Sequence, residues 1–450
     1  ISIDTRTLKS GDLFVALRGP RFDGHQFVAA AQAAGAAGFL VADDAANISS
    51  SLDDKLVRVK DTFTALNDLG RAARSRTAAG IVAVTGSVGK TGTKDMLRTA
   101  LSALGATHAS SGNLNNHWGV PLSLARMPRD AEFGVFELGM NHPDEIAPLS
   151  RLVRPHAAIV TAVTAAHLEF FKSIDDIAAE KASIAAGLER GGTFVLPADS
   201  PHVTVLRETA RKFGAAKILT FGTQGNADAR LISVATEATG MQIAAEIAGT
   251  RLTYDIGLTG RHLAMNSLAV LAAVSALGVN VRAAAANLSL VQPTEGRGAR
   301  HVVPVSNGFV TVIDESYNAS PAAVLALVES LGQSRAQSGR VIVALGDMLE
   351  LGPDSPAHHA GLASPLIANR VDLVFTCGTL MEHLHNALPR ELRGGHAKDS
   401  AALAPLIAQA VQAGDVVAVK GSHGSAMKKI VDALLALGAR ASAPRAVNGE

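Results

Sequence analysis

The chain predicts an α/β fold built around a mostly parallel sheet, and three observations carry that expectation. Apolar runs at 81–84, 133–138, 157–163, 193–196 and 217–221 alternate with helical stretches at 90–104, 174–188 and 202–213. Alternation of this kind describes strands whose two faces are covered by the intervening helices. The first run, Ile81-Val82-Ala83-Val84, passes straight into a glycine loop, Thr85-Gly86-Ser87-Val88-Gly89-Lys90-Thr91, and then into a helix-compatible segment at 94–98. Finally, 48% hydrophobic and 18% charged residues over a length of 450 describe a globular chain with enough material for two to four separate cores.

Taken in order, residues 1–77 mix short strand-like runs (13–17, 38–41, 56–59) with alanine-rich helical segments at 26–34 and 63–76, a small α/β unit. The opening Ile-Ser-Ile-Asp reads as the interior of a strand, so a few residues are expected to precede it. Residues 78–293 form the central unit. Within it the pattern turns strand-only between about 228 and 258, an antiparallel excursion, before a helix at 262–277. The segment Gln292-Pro293-Thr294-Glu295-Gly296-Arg297-Gly298 reads as a linker. A further α/β unit, 294–450, follows, with strands near 309–314, 340–345, 371–376 and 415–419 and helices near 321–332, 399–412 and 425–437. No short-period repeat or low-complexity tract stands out.

Charge balances at 41 basic against 40 acidic residues without a long run of either sign, which disfavours nonspecific nucleic-acid binding and a membrane-surface role. The single cysteine, Cys377, ends an apolar run and reads as a buried structural thiol in a reducing compartment. There is no recognisable secretory leader and no apolar span of membrane length, so a cytoplasmic protein is expected.

The chemistry begins at the glycine loop. Backbone N–H groups of Gly86, Ser87, Val88 and Gly89 and the positive end of the following helix suit nucleotide phosphates, with Lys90 reaching the outer ones and the Thr91 hydroxyl available to Mg²⁺. The full eight-residue pattern wants a glycine where this chain has Val84, so only G-x-x-G-K-T remains, and an ordinary strand-to-helix turn is the alternative. Glu137 interrupts an apolar run near a strand's C-terminal end, where ligands bind in doubly wound sheets. It is either a metal ligand beside phosphates or a carboxylate emerging into a solvated loop. His167 follows the third strand, as a loop or core histidine or as a member of the same site. Lys181 sits in the amphipathic helix 174–188, where the residues alone leave it a solvated surface group. The segment 112–121 (GNLNNHWGVP) is either a plain turn or a set of amides facing a polar ligand. The segment 314–321 (DESYNASP) suits ribose or metal contacts, or ordinary capping by Asn318 or Ser320. Lys420-Gly421-Ser422-His423-Gly424 is an anion site or a simple turn.

Over nearly all of its length the chain resembles the Mur ligase family, the ATP-dependent amide-forming ligases of peptidoglycan precursor synthesis. Segments 112–121, 314–321 and 346–352 (GDMLELG) resemble the branch that joins D-alanyl-D-alanine to a UDP-N-acetylmuramoyl-tripeptide. The diamino-acid-adding ligases and folylpolyglutamate synthetases typically carry Ala-His where this chain has Tyr317-Asn318. The resemblance implies three domains: an N-terminal one for the UDP end of the substrate, a central P-loop ATPase-like one, and a C-terminal Rossmann-like one. It implies that Gly89, Lys90 and Thr91 hold ATP and Mg²⁺. Glu137 and His167 match metal-binding positions, and Lys181 matches a lysine carbamylated in several members, where it too serves the metal. Asn266 matches an adenine contact, while Arg297, Asp314, Glu315, Tyr317 and Asn318 close over the nucleotide. Thr5, Arg6, Asp23, Gly24 and His25 match the uridine-nucleotide signature, joined by Asn115 and Asn116, and Asp347, Lys420 and Ser422 fall near the incoming dipeptide. The partners so implied are small molecules, with neither nucleic acid nor a membrane span, and the protein is expected as a monomer.

Three positions depart from the family pattern: Glu315 where aspartate is usual, Ser320 where asparagine is frequent, and His423 at a commonly basic position. The implied reaction activates a carboxylate as an acyl phosphate, with Lys90, His167 and Lys181 at the reacting end. Its rivals are a sister ligase using another amino acid, a folate-type polyglutamyl ligase and, more remotely, a nucleotide switch that hydrolyses without ligation.

Overall fold

The computed structural model describes residues 1–441 except 21, 47, 166–167, 238–239 and 334–338. Three α/β units follow one another along the chain. In the first, strands Leu13–Val15, Gly38–Ala42 and Leu56–Val59 pair in parallel in that order. A small hairpin, Arg18–Gly19 with Phe22–Asp23, leads from the first strand towards helix Val28–Ala33.

The second unit is a nine-stranded sheet. From one edge its strands run Thr107–Ala109, Phe133–Glu137, Gly80–Thr85, Ala157–Val160, Thr193–Pro197 and Lys217–Gly222, all parallel. Period-two alternation sends Val82 and Val84 to one apolar core and Ile81 and Ala83 to another, so the central strand is buried on both faces. Helices Lys90–Ser102 and Arg261–Ala276 cover the first face; Gly119–Ala125, Ile146–Val153, Ile174–Ala182 and Val203–Lys212 cover the second. The expected strand-only excursion is present as Ala229–Glu237, Gly240–Ile247 and Thr250–Ile256, antiparallel to one another. It is an extension of the same sheet, because Phe221 and Gly222 pair with Ala229 and Arg230.

The third unit is a six-stranded sheet ordered Ala299–Val305, Gly308–Glu315, Val416–Lys420, Val341–Gly346, Leu373–Cys377 and Arg393–Ala397, antiparallel only at its first pair. Cys377 is buried here, and burial, reinforced by Asp347 and Asp399, pushes its thiol up to about 12, the inert state expected of a structural cysteine.

Differences from the sequence reading have local causes. The expected helix 174–188 stops at Ala182 and tightens into a 3₁₀ turn, Ser183–Gly187, because the chain there presses against Ser150: a Cβ on Gly187 would fall on the Ser150 carbonyl. Short helices such as Gly119–Ala125, Val281–Ala286 and Met381–Ala387 span too few turns to display a period. The edge strand Arg393–Ala397, with the sequence RGGHA, has no apolar run to announce it. The first unit is fastened to the second through helix Thr62–Ser75. Its Leu66 packs against Leu122, and buried Arg74 donates to the Val153 and Arg154 carbonyls at 2.8 and 2.7 Å.

Candidate active site

Strand Gly80–Thr85 and helix Lys90–Ser102 are separated by four loop residues, and the turn is closed by Gly89 in a left-handed conformation (φ 85°) at the helix N-cap. A Cβ there would also fall 2.8 Å from the Asn266 amide nitrogen, so glycine is favoured on two counts. Among the described residues no side chain caps this helix, which leaves its first-turn N–H groups and positive dipole end for an anion. Lys90 folds back along the loop and donates from Nζ to the Gly86 carbonyl at 2.7 Å. Desolvation pulls its pKa down, opposed by Glu137 and assisted by Arg297.

The next residue points the other way. Thr91 Oγ1 donates to Glu137 Oε2 at 2.9 Å, and Asn115 Nδ2 donates to Glu137 Oε1 at the same distance. Glu137, at the end of strand Phe133–Glu137, is 2% exposed, so the solvated-loop alternative is excluded. Asn115 is thus turn residue and site residue at once. Its neighbour Asn116 accepts from the N–H groups of Trp118 and Gly119, starting helix Gly119–Ala125.

Lys181 overturns the surface reading. It is fully buried in the last turn of helix Ile174–Ala182, and its pKa is driven well below the usual lysine range by burial and then by Lys90, with Glu180 opposing. A signal was present in the sequence: Lys181 lies four residues after Ile177 and three after Ala178, on the apolar side of the helix. Glu180 beside it accepts from the Asp144 and Ile146 N–H groups at 3.0 and 2.9 Å, fastening this helix to the start of Ile146–Val153. His167 lies outside the described residues.

The loop, Glu137 and Asn115 face a cleft of about 1370 Å³ between the second and third sheets, and Lys181, buried in its helix, does not line it. The phosphate-loop residues from Ser87 to Thr91, Glu137, Asn115, Asn116 and Asn266 line it from one side, and Arg297, Glu315, Tyr317, Asn318, Lys420 and Ser422 from the other. The Arg297 guanidinium stacks 4.1 Å from the Tyr317 ring centroid, and buried Lys420 donates to Glu315 Oε2 at 3.0 Å. His262, unremarked in the sequence, also lines the cleft, and burial, opposed by Glu315, lowers its pKa.

Other expected site residues stand elsewhere. Asp314 is completely buried and accepts from the Gly296 N–H at 3.0 Å and from the Ser316 hydroxyl at 2.5 Å, so it anchors the linker without lining the cleft. Asp347 accepts from the Met381 N–H at 2.8 Å and likewise does not line it. Thr5, Arg6, Asp23, Gly24 and His25 lie in the first unit, away from this cleft. Arg6 is exposed and pairs with Asp4 at 2.6 Å. His25 is held by Asp23 (Nδ1 to Oδ1, 2.5 Å) and accepts from the Ala42 N–H, so Asp23 and His25 brace the turn they occupy. Ser320 accepts from the Ala323 N–H at 3.4 Å, the capping alternative for that segment.

Models of the Mur ligase family match the three units in turn: the Mur ligase family catalytic domain at 1–75, the Mur ligase middle domain at 84–274, and the Mur ligase, glutamate ligase domain at 300–423. The chain is 33% identical to the UDP-N-acetylmuramoyl-tripeptide–D-alanyl-D-alanine ligase of Escherichia coli, over 96% of this chain and 93% of that one. Among solved structures it is similar to MurF from Acinetobacter baumannii, with a TM-score of 0.84, 28% identity, and 97% and 93% of the two chains covered. It is also similar to MurF ligase from Thermotoga maritima in complex with ADP, with a TM-score of 0.81, 26% identity, and 98% and 97% covered.

Proposed function

This chain belongs to the Mur ligase family, and from that membership we propose that it is the ATP-dependent ligase joining D-alanyl-D-alanine to UDP-N-acetylmuramoyl-tripeptide in peptidoglycan precursor synthesis. The observation that carries the reading is the single cleft in which an uncapped helix end, Lys90 and the buried Thr91–Glu137 pair face Arg297 and Lys420 of the third sheet.

A carboxylate is a poor acyl donor, since oxide would have to leave. In the reaction assigned here a carboxylate oxygen of the tripeptide attacks the γ-phosphorus of ATP, ADP departs, and an acyl phosphate forms. The dipeptide amine then adds to the acyl carbon, loses a proton and expels phosphate. The chain's part is positioning and charge neutralisation: loop N–H groups and Lys90 hold the phosphates, and Arg297 and Lys420 close the cleft from the opposite side. Closure of the cleft keeps water from the acyl phosphate.

The donors fit Mg²⁺, a hard cation that takes few protein ligands and completes its shell with phosphate and water oxygens. Thr91 and Glu137 offer such oxygens within a buried pocket, with His167 assigned to the same ion. Bound there, Mg²⁺ would offset the negative charge of the phosphates. A cationic Lys181 would be unsuitable beside it. Burial favours the neutral amine, which adds to carbon dioxide, forming an N–C bond and releasing a proton to give an anionic carbamate. Asn266 is assigned to the adenine side, the first unit with Thr5 and Arg6 to the UDP end, and Lys420 and Ser422 to the dipeptide side. The protein is assigned to the cytoplasm, as a monomer supporting cell-wall growth, shape and division; among the described residues no helix is long and apolar enough to cross a membrane.

The test is ADP formation from ATP and UDP-N-acetylmuramoyl-tripeptide, with and without D-alanyl-D-alanine, and with diaminopimelate or glutamate in its place. Turnover only with the dipeptide, with one new amide per ADP, is expected. ADP release indifferent to any amine would refute the assignment.

A further inference from the structure

Besides Lys90, the end of a neighbouring strand holds the phosphate loop in shape. Strand Ala157–Val160 leads into Thr161, which is 3% exposed and whose N–H donates to the Thr85 carbonyl at 2.9 Å. From there the Thr161 hydroxyl reaches under the loop. It lies 2.6 Å from the Val88 carbonyl and 3.2 Å from that of Thr85, and its single proton serves the nearer acceptor. Beside it the Ser87 N–H donates to the Ala162 carbonyl at 2.7 Å. The Ser87 hydroxyl donates to the Thr164 carbonyl and accepts from the Thr164 N–H, both at 3.1 Å. A Cβ on Gly86 would fall on Thr161 Oγ1, so the loop lies flush against this residue.

Peptide planarity turns these bonds into aim. The Val88 carbonyl and the Gly89 N–H belong to one rigid plane and point in opposite directions. Drawing the carbonyl towards Thr161 turns the Gly89 N–H away from Thr161, to the side assigned to a phosphate. The same rule governs the Gly86–Ser87 plane, two peptides earlier. With the Ser87 N–H committed to Ala162, the Gly86 carbonyl points the other way, where it receives Lys90 Nζ at 2.7 Å.

We propose that Thr161 is a positioning residue for ATP: its hydroxyl fixes the Val88–Gly89 peptide plane and thereby directs the loop's N–H groups at the nucleotide phosphates. This rests on the reading of the loop as a nucleotide site. It assigns a role to a residue that nothing in the glycine-loop motif points to, contributed by the strand that also leads to His167.

The experiment compares Thr161→Val, which keeps the branched shape and loses the hydroxyl, with Thr161→Ser, which keeps the hydroxyl. ADP binding in the presence of Mg²⁺ is measured by calorimetry, alongside binding of UDP-N-acetylmuramoyl-tripeptide. T161V is expected to weaken ADP about five- to tenfold, the effect of one lost hydrogen bond, while tripeptide binding is unchanged and T161S stays within about twofold of the parent protein. Equal ADP affinity in T161V, or an equal loss in T161S, would overturn the role of the hydroxyl. Should T161V fail to fold, T161S still decides, since a loss beyond about fivefold in it contradicts the proposal. A parent protein that binds no ADP would instead sink the nucleotide-site reading itself.

Discussion

Replacing Thr91 by valine removes one oxygen and almost no volume, so it isolates what the hydroxyl does. Thr91 is 6% exposed and Glu137 2%, and the bond between them is 2.9 Å long. Its loss leaves a buried carboxylate with Asn115 as its remaining side-chain donor. A hydrogen bond to a charged group contributes about 1.5–3 kcal/mol. For a unit of roughly 200 residues, about 2 kcal/mol corresponds to a melting temperature lower by about 4–8 °C. Activity should fall further than stability, because the same hydroxyl is assigned to Mg²⁺; losing one preorganised electrostatic contact in a buried site typically costs about 10²–10³ in rate. The assay is ADP release at saturating substrates over a Mg²⁺ titration, with melting followed in parallel and Thr91→Ser as the control that restores the oxygen. T91V should need more Mg²⁺ and turn over at least about a hundredfold more slowly, and T91S should recover most of both. If T91V kept the parent's Mg²⁺ dependence and rate, the placement of the metal at Thr91 and Glu137 would be wrong.

Lys90→Ala should abolish ADP formation while leaving the melting temperature near that of the parent, since among the described residues Nζ bonds only to loop carbonyls; substantial turnover would contradict its phosphate role. Lys181→Met should abolish ligation yet raise the melting temperature in CO₂-free buffer at pH 7. A lysine whose folded pKa is depressed binds its proton more weakly than in the unfolded chain, so it destabilises at low pH and the cost fades as pH rises towards 10.5. The stabilisation by K181M should therefore shrink on the alkaline side, and a gap independent of pH would refute it. Tyr317→Leu should weaken ADP binding about two- to fivefold by freeing Arg297 from the ring, visible by calorimetry as a change absent for the tripeptide. Gly187→Ala should destabilise by about 1–3 kcal/mol, because the methyl group meets the Ser150 carbonyl; an unchanged melting curve would show that the contact relaxes.

What could be read from the residues depended on how local the physics was. The phosphate loop announces itself because strand, glycine turn, Lys90 and Thr91 are contiguous and each is tied to one job. Glu137 was legible as an acid in an apolar run, and its burial excludes the reading as a carboxylate emerging into a solvated loop. Lys181 was assigned to the site only through family likeness, although its spacing from Ile177 and Ala178 had placed it on the helix's inner side all along. Asp314 shows the opposite error. Two acids at a strand end look alike in sequence, but Glu315 lines the cleft while Asp314 turns inward to hold Gly296 and Ser316. A period of two decides which face a side chain takes; it does not say which face carries the ligand. Thr161 was invisible because its partners, Thr85 and Val88, are more than seventy positions away and its bonds are to backbone atoms.

The linker between the second and third sheets shows how one cleft comes to depend on both. Thr294 donates from its hydroxyl to Asp95 Oδ2 at 3.0 Å, in the helix that starts at the phosphate loop. The next residue, Glu295, pairs with Lys428 Nζ at 2.7 Å, at the start of helix Lys428–Ala441 on the third sheet. Two residues further on, Arg297 stacks on Tyr317 within the cleft. A displacement of either sheet must therefore be transmitted through four consecutive residues to a cation that faces the phosphate loop. The residues are ordinary and their pairs mostly exposed, so little stability is stored in them. Their position gives them leverage instead: Arg297 follows directly on two residues tied one to each sheet, and it lines the cleft opposite the phosphate loop. Lys420 lines the same cleft as Lys90, so the sheet spacing that this segment spans also sets the distance between the two cations, and a narrower cleft would shield an acyl phosphate from water.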